Sequence, residues 1–188
     1  MTSFYSQDEL TKLGFKFVGE NVLISKLAQF YNIGCMSIGN HVRIDDFCII
    51  SGSITIGSYV HIGAYCALYG QNGILLEDFT GLSPRSTIFS ATDDFSGDYL
   101  ISPMVSEEFT NVKKGNVLIK RYTQIGANCI IMPGVKIGEG VAVGAMSFVN
   151  GSLDPWGIYA GVPVKRVKDR RKGLLKLVEK IESQAKRK

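Results

Sequence analysis

The sequence predicts an all-β solenoid whose coils form a triangular prism, and three observations support this fold class. An apolar residue recurs every six positions through most of the chain, a period that fits neither an α-helix nor a simple alternating strand. The hexads fall into three classes by the residue four positions after each apolar one. All interruptions of the repeat follow hexads of a single class. A short strand plus a tight corner, repeated three times per coil, satisfies these patterns.

The repeat comprises eighteen hexads, which make six coils of three. Their apolar positions are Val18, Ile24, Phe30, Ile38, Ile44, Ile50, Ile56, Ile62, Leu68, Leu76, Leu82, Ile88, Ile119, Ile125, Ile131, Ile137, Val143 and Val149. Four residues after the second hexad of each coil stands a small residue: Ala28, Cys48, Cys66, Ser86, Cys129 or Ser147. The hexad before it has a β-branched residue there, such as Val42 or Thr123. Three of the four cysteines are therefore interpreted as reduced core residues stacked at one corner.

Three insertions interrupt the hexads, and all three follow the third hexad of a coil. Two are short, and the third is a long segment that we expect to leave the solenoid as an extruded loop over residues 93–117. Long loops in compact domains usually carry function, and the apolar content of this one favours an ordered loop. All three are expected at the same edge of the prism.

The chain ends are expected to cap the solenoid. Residues 1–17 form an N-terminal helical cap, because Ser6 and Glu9 make a capping box. The hexapeptide-repeat β-helix itself spans 18–167, and a basic C-terminal helix follows over 168–188. Helices at both ends would cover the open sheet edges.

One face of the predicted prism is apolar on its outer side. The register of the hexads predicts which residues point outward on this face. They include Ile49, Ala67, Thr87, Ile130 and Phe148, with Tyr69 and Phe89 beside them. A monomer would not normally leave such a patch in water. We interpret the face as an oligomer interface beside the edge that bears the long loop.

Composition and charge exclude several classes of protein. Residues 164–188 carry a charge of +8, whereas residues 1–163 carry −4, so the body does not resemble a nucleic-acid binder. No apolar run is long enough for an integral membrane segment, and the start lacks an apolar signal segment, which favours a cytoplasmic protein. Two histidines and no CxxC pair make a metal site improbable.

The hexads, together with MPGVKIG from Met132, VGAMSFV from Val143 and YAGVPVKRV from Tyr159, resemble the hexapeptide-repeat acyltransferases. The resemblance implies a left-handed parallel β-helix, a homotrimer, and acyl transfer from acetyl-CoA or another acyl-CoA. Within the family, the sequence is most similar to the bacterial sugar acetyltransferases of surface-polysaccharide pathways, which include O-antigen and lipopolysaccharide biosynthesis. The acceptor would then be a sugar or a nucleotide-linked sugar.

The family places coenzyme A in the groove between two subunits, parallel to the rod. Gly126 and Gly144 face outward, where missing side chains would let the pantetheine arm approach the backbone. Ala145 lies beside Gly144, and Pro163 belongs to the AGVP motif. Lys165 and Arg166 follow the last coil, where cations would neutralise the phosphates of the coenzyme. Most later charges of the tail are interpreted as a solvated helix face. These six residues are the predicted coenzyme contacts.

The sequence departs from the family at the catalytic base. Family members commonly place a histidine just after the hexad that leads into the long loop, but here Asp93 stands there and the loop has no histidine. Either Asp93 is the base, with Asp94 or Ser83 helping to hold the acceptor, or His61 substitutes, or the protein is inactive. An Asp-Asp pair also favours loop turns, so Asp93 and Asp94 could simply shape the loop.

The nature of the base bears on the acceptor. A sugar hydroxyl needs a strong general base, usually an imidazole, whereas an ammonium group needs only to lose one proton before it attacks the thioester. A carboxylate at position 93 therefore favours the amino group of a nucleotide-linked deoxyamino sugar, with a galactoside-like O-acetyltransferase as the alternative. His61 is expected outward in a column with Arg43, Gly81, Gln124 and Ala142, where Gly81 leaves room around it. A non-catalytic binding scaffold is the remote reading.

Overall fold

The structure is a computed structural model that describes residues 3–185, and it consists of short strands wound into stacked coils. The strands are β1 (Phe17–Val18), β2 (Leu23–Ile24), β3 (Gln29–Tyr31), β4 (Met36–Ile38), β5 (Arg43–Ile44), β6 (Ile49–Ile56), β7 (His61–Ile62), β8 (Ala67–Leu76), β9 (Gly81–Leu82), β10 (Thr87–Phe89), β11 (Ala91–Thr92), β12 (Lys113–Lys114), β13 (Val117–Ile119), β14 (Gln124–Ile125), β15 (Ile130–Ile131), β16 (Lys136–Ile137), β17 (Ala142–Val143), β18 (Phe148–Val149), β19 (Gly157–Ala160) and β20 (Lys165–Asp169). The helices are α1 (Gln7–Lys12) and α2 (Leu174–Ala185).

Parallel pairing between successive coils builds three faces. The first face contains β1, β4, the ends of β6 and β8, β13 and β16; the second contains β2, β5, β7, β9, β14, β17 and β19. The third contains β3, the starts of β6 and β8, β10, β15 and β18. The first corner joins the first and second faces, the second corner joins the second and third, and the insertion edge joins the third and first. Strands β6 and β8 run around that edge without a break.

The core of the prism follows the predicted hexads. Sixteen of the eighteen apolar hexad positions are buried, and the other two, Val18 and Phe30, lie in the first coil and are half-buried. The columns of small and β-branched residues are buried as well, from Ala28 to Ser147 and from Val22 to Val141. Because every coil adds the same kind of side chain to the same column, the core is continuous along the rod.

Both tight corners are made by residues in the left-handed backbone region, always three positions after the apolar residue. Their φ angles lie between 54° and 64°, and these residues include Asn21, His41, Tyr59, Phe79, Tyr122 and Trp156 at the first corner and Phe47, Tyr65, Arg85, Asn128 and Met146 at the second. Bulky residues rarely adopt this conformation. Stacking offsets part of its cost, since the rings of Tyr59 and Phe79 lie 4.7 Å apart and almost parallel.

The ends of the rod are covered differently. At the N-terminus α1 has the predicted capping box, in which the Ser6 side chain and the Glu9 backbone, and the Glu9 side chain and the Ser6 backbone, are bonded reciprocally. At the C-terminus β20 pairs antiparallel with β19, and the Arg170 guanidinium donates to the carbonyls of Tyr122 and Gly140. The C-terminal helix was predicted over 168–188, but the strand β20 extends through Asp169 and α2 begins at Leu174. Residues 186–188 of that prediction lie outside the described residues.

The long loop leaves at the predicted edge. Strands β11 and β12 pair antiparallel at its base, so the excursion itself covers residues 93–112, and β13 then rejoins the first face. Ser90, which is buried at this neck, donates to the Tyr69 carbonyl and accepts from the Asn72 backbone. The loop was predicted to end at residue 117, but it ends earlier, because Lys113 and Lys114 already pair with β11.

Candidate functional site

A cavity of about 390 Å³ lies where the long loop meets the insertion edge. Asp93 lines it together with Gln71, Thr92, Glu107 and Thr110. Strand β11 ends at Thr92, so Asp93 is the first residue that is free of the sheet. Asp93 is half-buried, and the other residues that line this cavity are both acidic and neutral polar ones. A carboxyl in such surroundings can receive a proton or orient a cation.

Asp94 has a different role from its neighbour. It is buried, and its carboxylate accepts hydrogen bonds from the Ser96 backbone at 2.7 Å and the Asn111 amide at 2.7 Å. Lys113 lies 3.7 Å away. The bonds from Ser96, then the one from Asn111, lower the pKa of Asp94 to about 2. The expected raised pKa for a shielded member of the pair is wrong for Asp94, whose carboxylate ties the two ends of the loop together and stays ionised. That Asp94 helps to hold the acceptor stays a prediction.

Ser83 lies at the second corner, directly after β9. Its hydroxyl oxygen accepts a hydrogen bond from the Gln124 amide at 3.3 Å, so its own O–H remains free to donate. Gln124 reaches it across Gly81, where an added Cβ would lie 2.3 Å from the Gln124 side-chain oxygen. Gly81 was expected to leave room for His61; instead the amide of Gln124 fills that room.

His61 stands outward in the predicted column, with β7 paired to β5 and β9. Its ring is 57% exposed, and Nε2 lies 2.8 Å from the Asp45 carboxylate, which also accepts from Arg43 at 2.7 Å. Burial alone would raise the pKa of Asp45, but the bonds from Arg43 and His61 outweigh it and the pKa is lowered. The second histidine, His41, is exposed at the first corner and stacks on Tyr59 at 4.7 Å.

The three buried cysteines offer no nucleophile to the site. Cys48, Cys66 and Cys129 are fully buried and donate to carbonyl oxygens of neighbouring turns. Burial raises the pKa of Cys48 to about 12 and that of Cys66 to about 11, and it raises the pKa of Cys129 too. Cys35 is exposed at the insertion edge, between β3 and β4. Thiols with such pKa values are unreactive at neutral pH, which agrees with their interpretation as core residues.

The predicted coenzyme contacts extend along the second corner towards the C-terminus. A Cβ added to Gly126 would lie 2.5 Å from the Ala145 nitrogen, so this glycine is required by the next coil and not by an approaching ligand. A Cβ on Gly144 would lie 3.1 Å from Ala160, a tight contact of the same kind. The reason inferred for these two glycines is therefore wrong for Gly126, while Ala145 beside them is exposed.

The two cations after the last coil differ. Arg166 donates to Asp169 at 2.8 Å and to the Tyr159 hydroxyl at 3.1 Å, and these bonds raise its pKa. Lys165 is exposed and has no ion pair among residues 3–185. Pro163 is exposed just before them, in the turn between β19 and β20. Lys165 is thus the cation that can neutralise a ligand phosphate without first losing a partner.

Within one chain the structure does not bring Ser83 and Asp93 together. Strand β10 and the whole third face separate them, because Ser83 lies at the second corner and Asp93 at the insertion edge. The backbone that crosses the third face between them can span about 20 Å when it is extended. Two groups that act on one atom must instead both lie within hydrogen-bond reach of that atom. The sequence named both residues but could not show this separation.

Some polar residues near these groups escaped the sequence reasoning. Gln71 and Thr110 line the cavity beside Asp93, and Gln124 contacts Ser83. Gln124 had a signal, because it shares the outward column of the second face with Gly81. Gln71 lies in the stretch between Leu68 and Leu76 that carries a short insertion, and Thr110 lies inside the loop, so no periodicity marks them. Among residues 3–185 no three His, Cys, Asp or Glu side chains form a ligand set for a metal.

The coils and the site define a class of protein. The chain matches the family described as bacterial transferase hexapeptide (six repeats) over residues 36–70 and 116–151. It is 39% identical over 178 residues, 93% of each chain, to the dTDP-4-amino-4,6-dideoxy-D-glucose acyltransferase of Escherichia coli. The chain therefore belongs to the hexapeptide-repeat acyltransferases, and its fold is their left-handed parallel β-helix.

A solved relative is more similar still. AntD, an N-acyltransferase from Bacillus cereus solved with dTDP and 3-hydroxybutyryl-CoA, is 55% identical, with a TM-score of 0.97 over 99% of this chain and 100% of that one. Other structures of AntD carry substitutions at one serine and one aspartate ten positions apart. A hexapeptide-repeat acetyltransferase of Vibrio cholerae, 20% identical over 87% of this chain and 78% of its own, shares the fold with a TM-score of 0.56.

These findings confirm the enzyme class predicted from the hexads and the AGVP motif. The protein is an acyltransferase, and acyl-CoA is its co-substrate. Neither helix in the described part of the chain is both long and apolar enough to cross a membrane.

Proposed function

We propose that this enzyme transfers an acyl group from acyl-CoA to the amino group of a dTDP-linked 4-amino-4,6-dideoxy sugar. The observation that carries the proposal is the carboxylate of Asp93 in the loop cavity, where the described loop has no histidine. The E. coli relative is named for that sugar nucleotide, and AntD is an N-acyltransferase bound to dTDP. Ser83 and Asp93 are also ten positions apart, as are the substituted serine and aspartate of AntD.

The chemistry requires little more than orientation and one proton acceptor. Asp93 accepts a charge-assisted hydrogen bond from the ammonium group and takes one proton from it, which is passed to water. The amine lone pair then attacks the thioester carbonyl, the C–N bond forms and the C–S bond breaks. The nitrogen that is now bonded to the acyl carbon loses a second proton to give the neutral amide, and the leaving sulfur takes up one proton to give the free thiol of coenzyme A. Ser83, held by Gln124, donates its free O–H to the acceptor.

We propose that the enzyme works as a homotrimer whose active site lies between subunits. The third face presents Ile49, Ile130 and Tyr69 to solvent, with Phe148 and Phe89 half-buried beside them. A closed ring of three subunits uses a heterologous interface, in which one edge of a subunit meets the opposite edge of its neighbour. That arrangement would bring Asp93 of one subunit to Ser83 of the next, as the separation of these residues within one chain requires.

Two measurements test this assembly. Ile130→Asp should convert the trimer into a monomer or an aggregate by light scattering and abolish turnover, because a charge cannot be buried unpaired. In mixed trimers, subunits carrying Asp93→Asn and subunits carrying Ser83→Ala should regain part of the activity that each homotrimer lacks, since some interfaces then hold both native residues. A wild-type monomer at micromolar concentration, or no complementation, would contradict the shared site.

We further propose that Lys165 binds a phosphate of coenzyme A and that Arg166 supports the strand beside it. Lys165 is free, whereas Arg166 is held by Asp169 and the Tyr159 hydroxyl. Acyl-CoA and nucleotide sugars are both made in the cytoplasm, so we place the enzyme there, in the synthesis of a surface polysaccharide such as an O-antigen or lipopolysaccharide.

A hydroxyl acceptor is the second candidate, and the pair of His61 and Asp45 favours it. An imidazole oriented by a carboxylate at 2.8 Å is a suitable general base for an alcohol. The two candidates separate cleanly with matched substrates. The enzyme, acetyl-CoA and dTDP-4-amino-4,6-dideoxyglucose should release free thiol and give an amide, whereas the corresponding 4-hydroxy sugar should not react. Faster acylation of the hydroxyl sugar would reverse the assignment.

A further inference from the structure

The second corner carries a guanidinium that has no carboxylate partner within residues 3–185. Arg85 lies two residues after Ser83, and its backbone N–H donates to the Ala64 carbonyl at 3.0 Å in a left-handed turn that leaves the side chain exposed. Among the arginines in the described coils, Arg43, Arg121 and Arg166 are each paired with an aspartate, but Arg85 is not. Its charge is therefore available to an anion.

Two aromatic rings continue the same column towards the N-terminus. The Arg85 guanidinium lies 5.7 Å from the centre of the Tyr65 ring, and Phe47 stacks on Tyr65 at 5.0 Å with an interplanar angle of 25°. Both rings are about half exposed, Phe47 at 47% and Tyr65 at 53%. We call Phe47, Tyr65 and Arg85 the corner column. It offers planar faces and one cation in a single line, one residue per coil.

The two carboxylates that directly precede the corner column in sequence are already engaged. Asp45 is held by Arg43 and His61 on the second face. Asp46 accepts a hydrogen bond from the Ser25 hydroxyl one coil below. Neither therefore compensates the charge of Arg85. A solvent-exposed arginine beside two exposed rings provides the parts that recognise a phosphorylated nucleoside, namely a bidentate phosphate donor and a stacking surface.

We propose that the corner column binds the nucleoside diphosphate of the acceptor, with the diphosphate on Arg85 and the base against Tyr65 and Phe47. This inference rests on the proposed function and deepens it. Ser83 and Arg85 lie two positions apart at a tight turn, so at most about 7 Å separates their Cα atoms, a span comparable to that from the 4-amino group of a hexose to its anomeric oxygen. The amine therefore lies near Ser83 when the diphosphate lies near Arg85.

The position of the corner column also separates the two substrates. It occupies the coil of Ser83 and the two coils before it, whereas Gly126, Ala145 and Lys165 lie in the coils after it. The acceptor would reach the reaction centre from the N-terminal end of the corner and acyl-CoA from the C-terminal end. Coenzyme A carries a diphosphate of its own, so the experiment must separate the two sources of that group.

Calorimetry with four ligands makes this separation: dTDP, dTMP, thymidine and coenzyme A. Arg85→Gln should weaken dTDP binding by on the order of tenfold to a hundredfold, dTMP binding by less, and thymidine and coenzyme A binding hardly at all. Arg85→Lys should fall between, because it keeps the charge but loses the planar fork. Tyr65→Leu should weaken dTDP, dTMP and thymidine alike.

Arg121 provides the matched control. Its guanidinium stacks on Tyr122 at 5.3 Å, as Arg85 does on Tyr65, but it is bonded to Asp78 at the first corner. Arg121→Gln should leave all four affinities unchanged. Unchanged dTDP binding in Arg85→Gln, or a loss confined to coenzyme A, would overturn the assignment while leaving the acyltransferase proposal intact. A wild-type enzyme that neither binds dTDP nor acylates the amino sugar would overturn both, and melting temperatures will show whether each variant is folded.

Discussion

The two edges of the third face show how differently this enzyme positions its polar groups. At the second corner Ser83 and Arg85 belong to coils whose apolar residues, such as Leu82 and Ile88, are fully buried. At the insertion edge Asp93 begins a loop whose apolar residues are open to solvent, with Phe95 77% and Met104 89% exposed. One half of the candidate site belongs to the repeating coils around the second corner, from Ser83 to Arg85, which we call the wall. The other half, around Asp93, lies in the loop that is attached to these coils.

The contrast has a physical cause. Each residue of the wall is held by hydrogen bonds from the coils on both sides, so its position repeats with the coil spacing of about 4.8 Å. The loop is held by the two-residue pairing of β11 with β12, by the bonds around Asp94 and by a few local bonds such as that from the Leu100 N–H to the Phe109 carbonyl. Segments with few buried contacts open at low free energy. The coils therefore hold Ser83 and Arg85 in fixed positions, whereas the loop holds the Asp93 carboxylate by fewer contacts.

The largest effect should come from the loop half. Asp93→Asn is nearly isosteric and should leave the trimer and its melting temperature intact while lowering kcat by about 10²–10⁴-fold. Since an amine that is already deprotonated needs no enzymic base, the variant should recover part of its rate as the pH rises. Thiol release at several pH values measures this.

His61→Gln on the wall is the matched comparison. It should stay within a few-fold of wild type if Asp93 is the base, because His61 is exposed and bound to Asp45. If His61→Gln abolishes turnover and Asp93→Asn does not, the base lies on the wall, and the contrast between the two halves was drawn in the wrong place.

A smaller effect should appear at the end of the wall. Lys165→Gln should raise the Michaelis constant for acyl-CoA on the order of tenfold, the loss of one charge-assisted phosphate contact, without changing that for the sugar nucleotide. Acyl-3′-dephospho-CoA should be insensitive to the change if the contact is to the 3′-phosphate. Arg166→Gln should instead lower the melting temperature, because this side chain is bonded within the protein. Equal Michaelis constants in Lys165→Gln and wild type would remove Lys165 from the coenzyme site.

The anchoring of the loop should depend on pH. The pKa of Asp94 is held at about 2 in the folded protein, below the value near 4 of an unfolded carboxyl, so its contribution is complete above pH 4 and is lost as the pH falls towards 2. Asp94→Asn should lower the urea midpoint at pH 6 and reduce kcat several-fold by misplacing Asp93. The difference from wild type should shrink near pH 2.5. A constant difference across this range would show that the carboxylate charge does not hold the loop.

The smallest effect should come from the thiols of the wall. With the pKa of Cys48 near 12 and that of Cys66 near 11, the buried thiols are protonated at pH 8. Native protein should react with one equivalent of a thiol reagent, at exposed Cys35, and with four after unfolding. Activity should not change on labelling. Loss of activity in step with the first equivalent would show that a thiol contributes to the site.

Much of the architecture could be predicted because the repeat expresses it locally. The hexad spacing gave the buried positions from Ile24 to Val149, and the Ser6–Glu9 pattern gave α1. The partners of Asp94 could not be predicted in this way, since Asn111 and Lys113 are distant in sequence and belong to a loop without periodicity. Gly126 was misread for a related reason: the clash that requires glycine is with a neighbouring coil, which a single hexad does not reveal.

By itself, the sequence determined the period, the three hexad classes, the edge from which the loop leaves and the acyltransferase class. The period, the hexad classes and the edge follow from side chains that repeat in register, because each coil must bury the same kind of residue above the last. The class followed instead from the resemblance of the hexads and the AGVP motif to a known family. Only the tertiary structure decided which polar groups are free. It showed that Asp94 and Arg166 are already bonded, that Gln124 holds Ser83, that Arg85 has no acidic partner among the described residues and that a whole face separates Ser83 from Asp93. Such pairings depend on distances between coils and across faces, which no local pattern encodes.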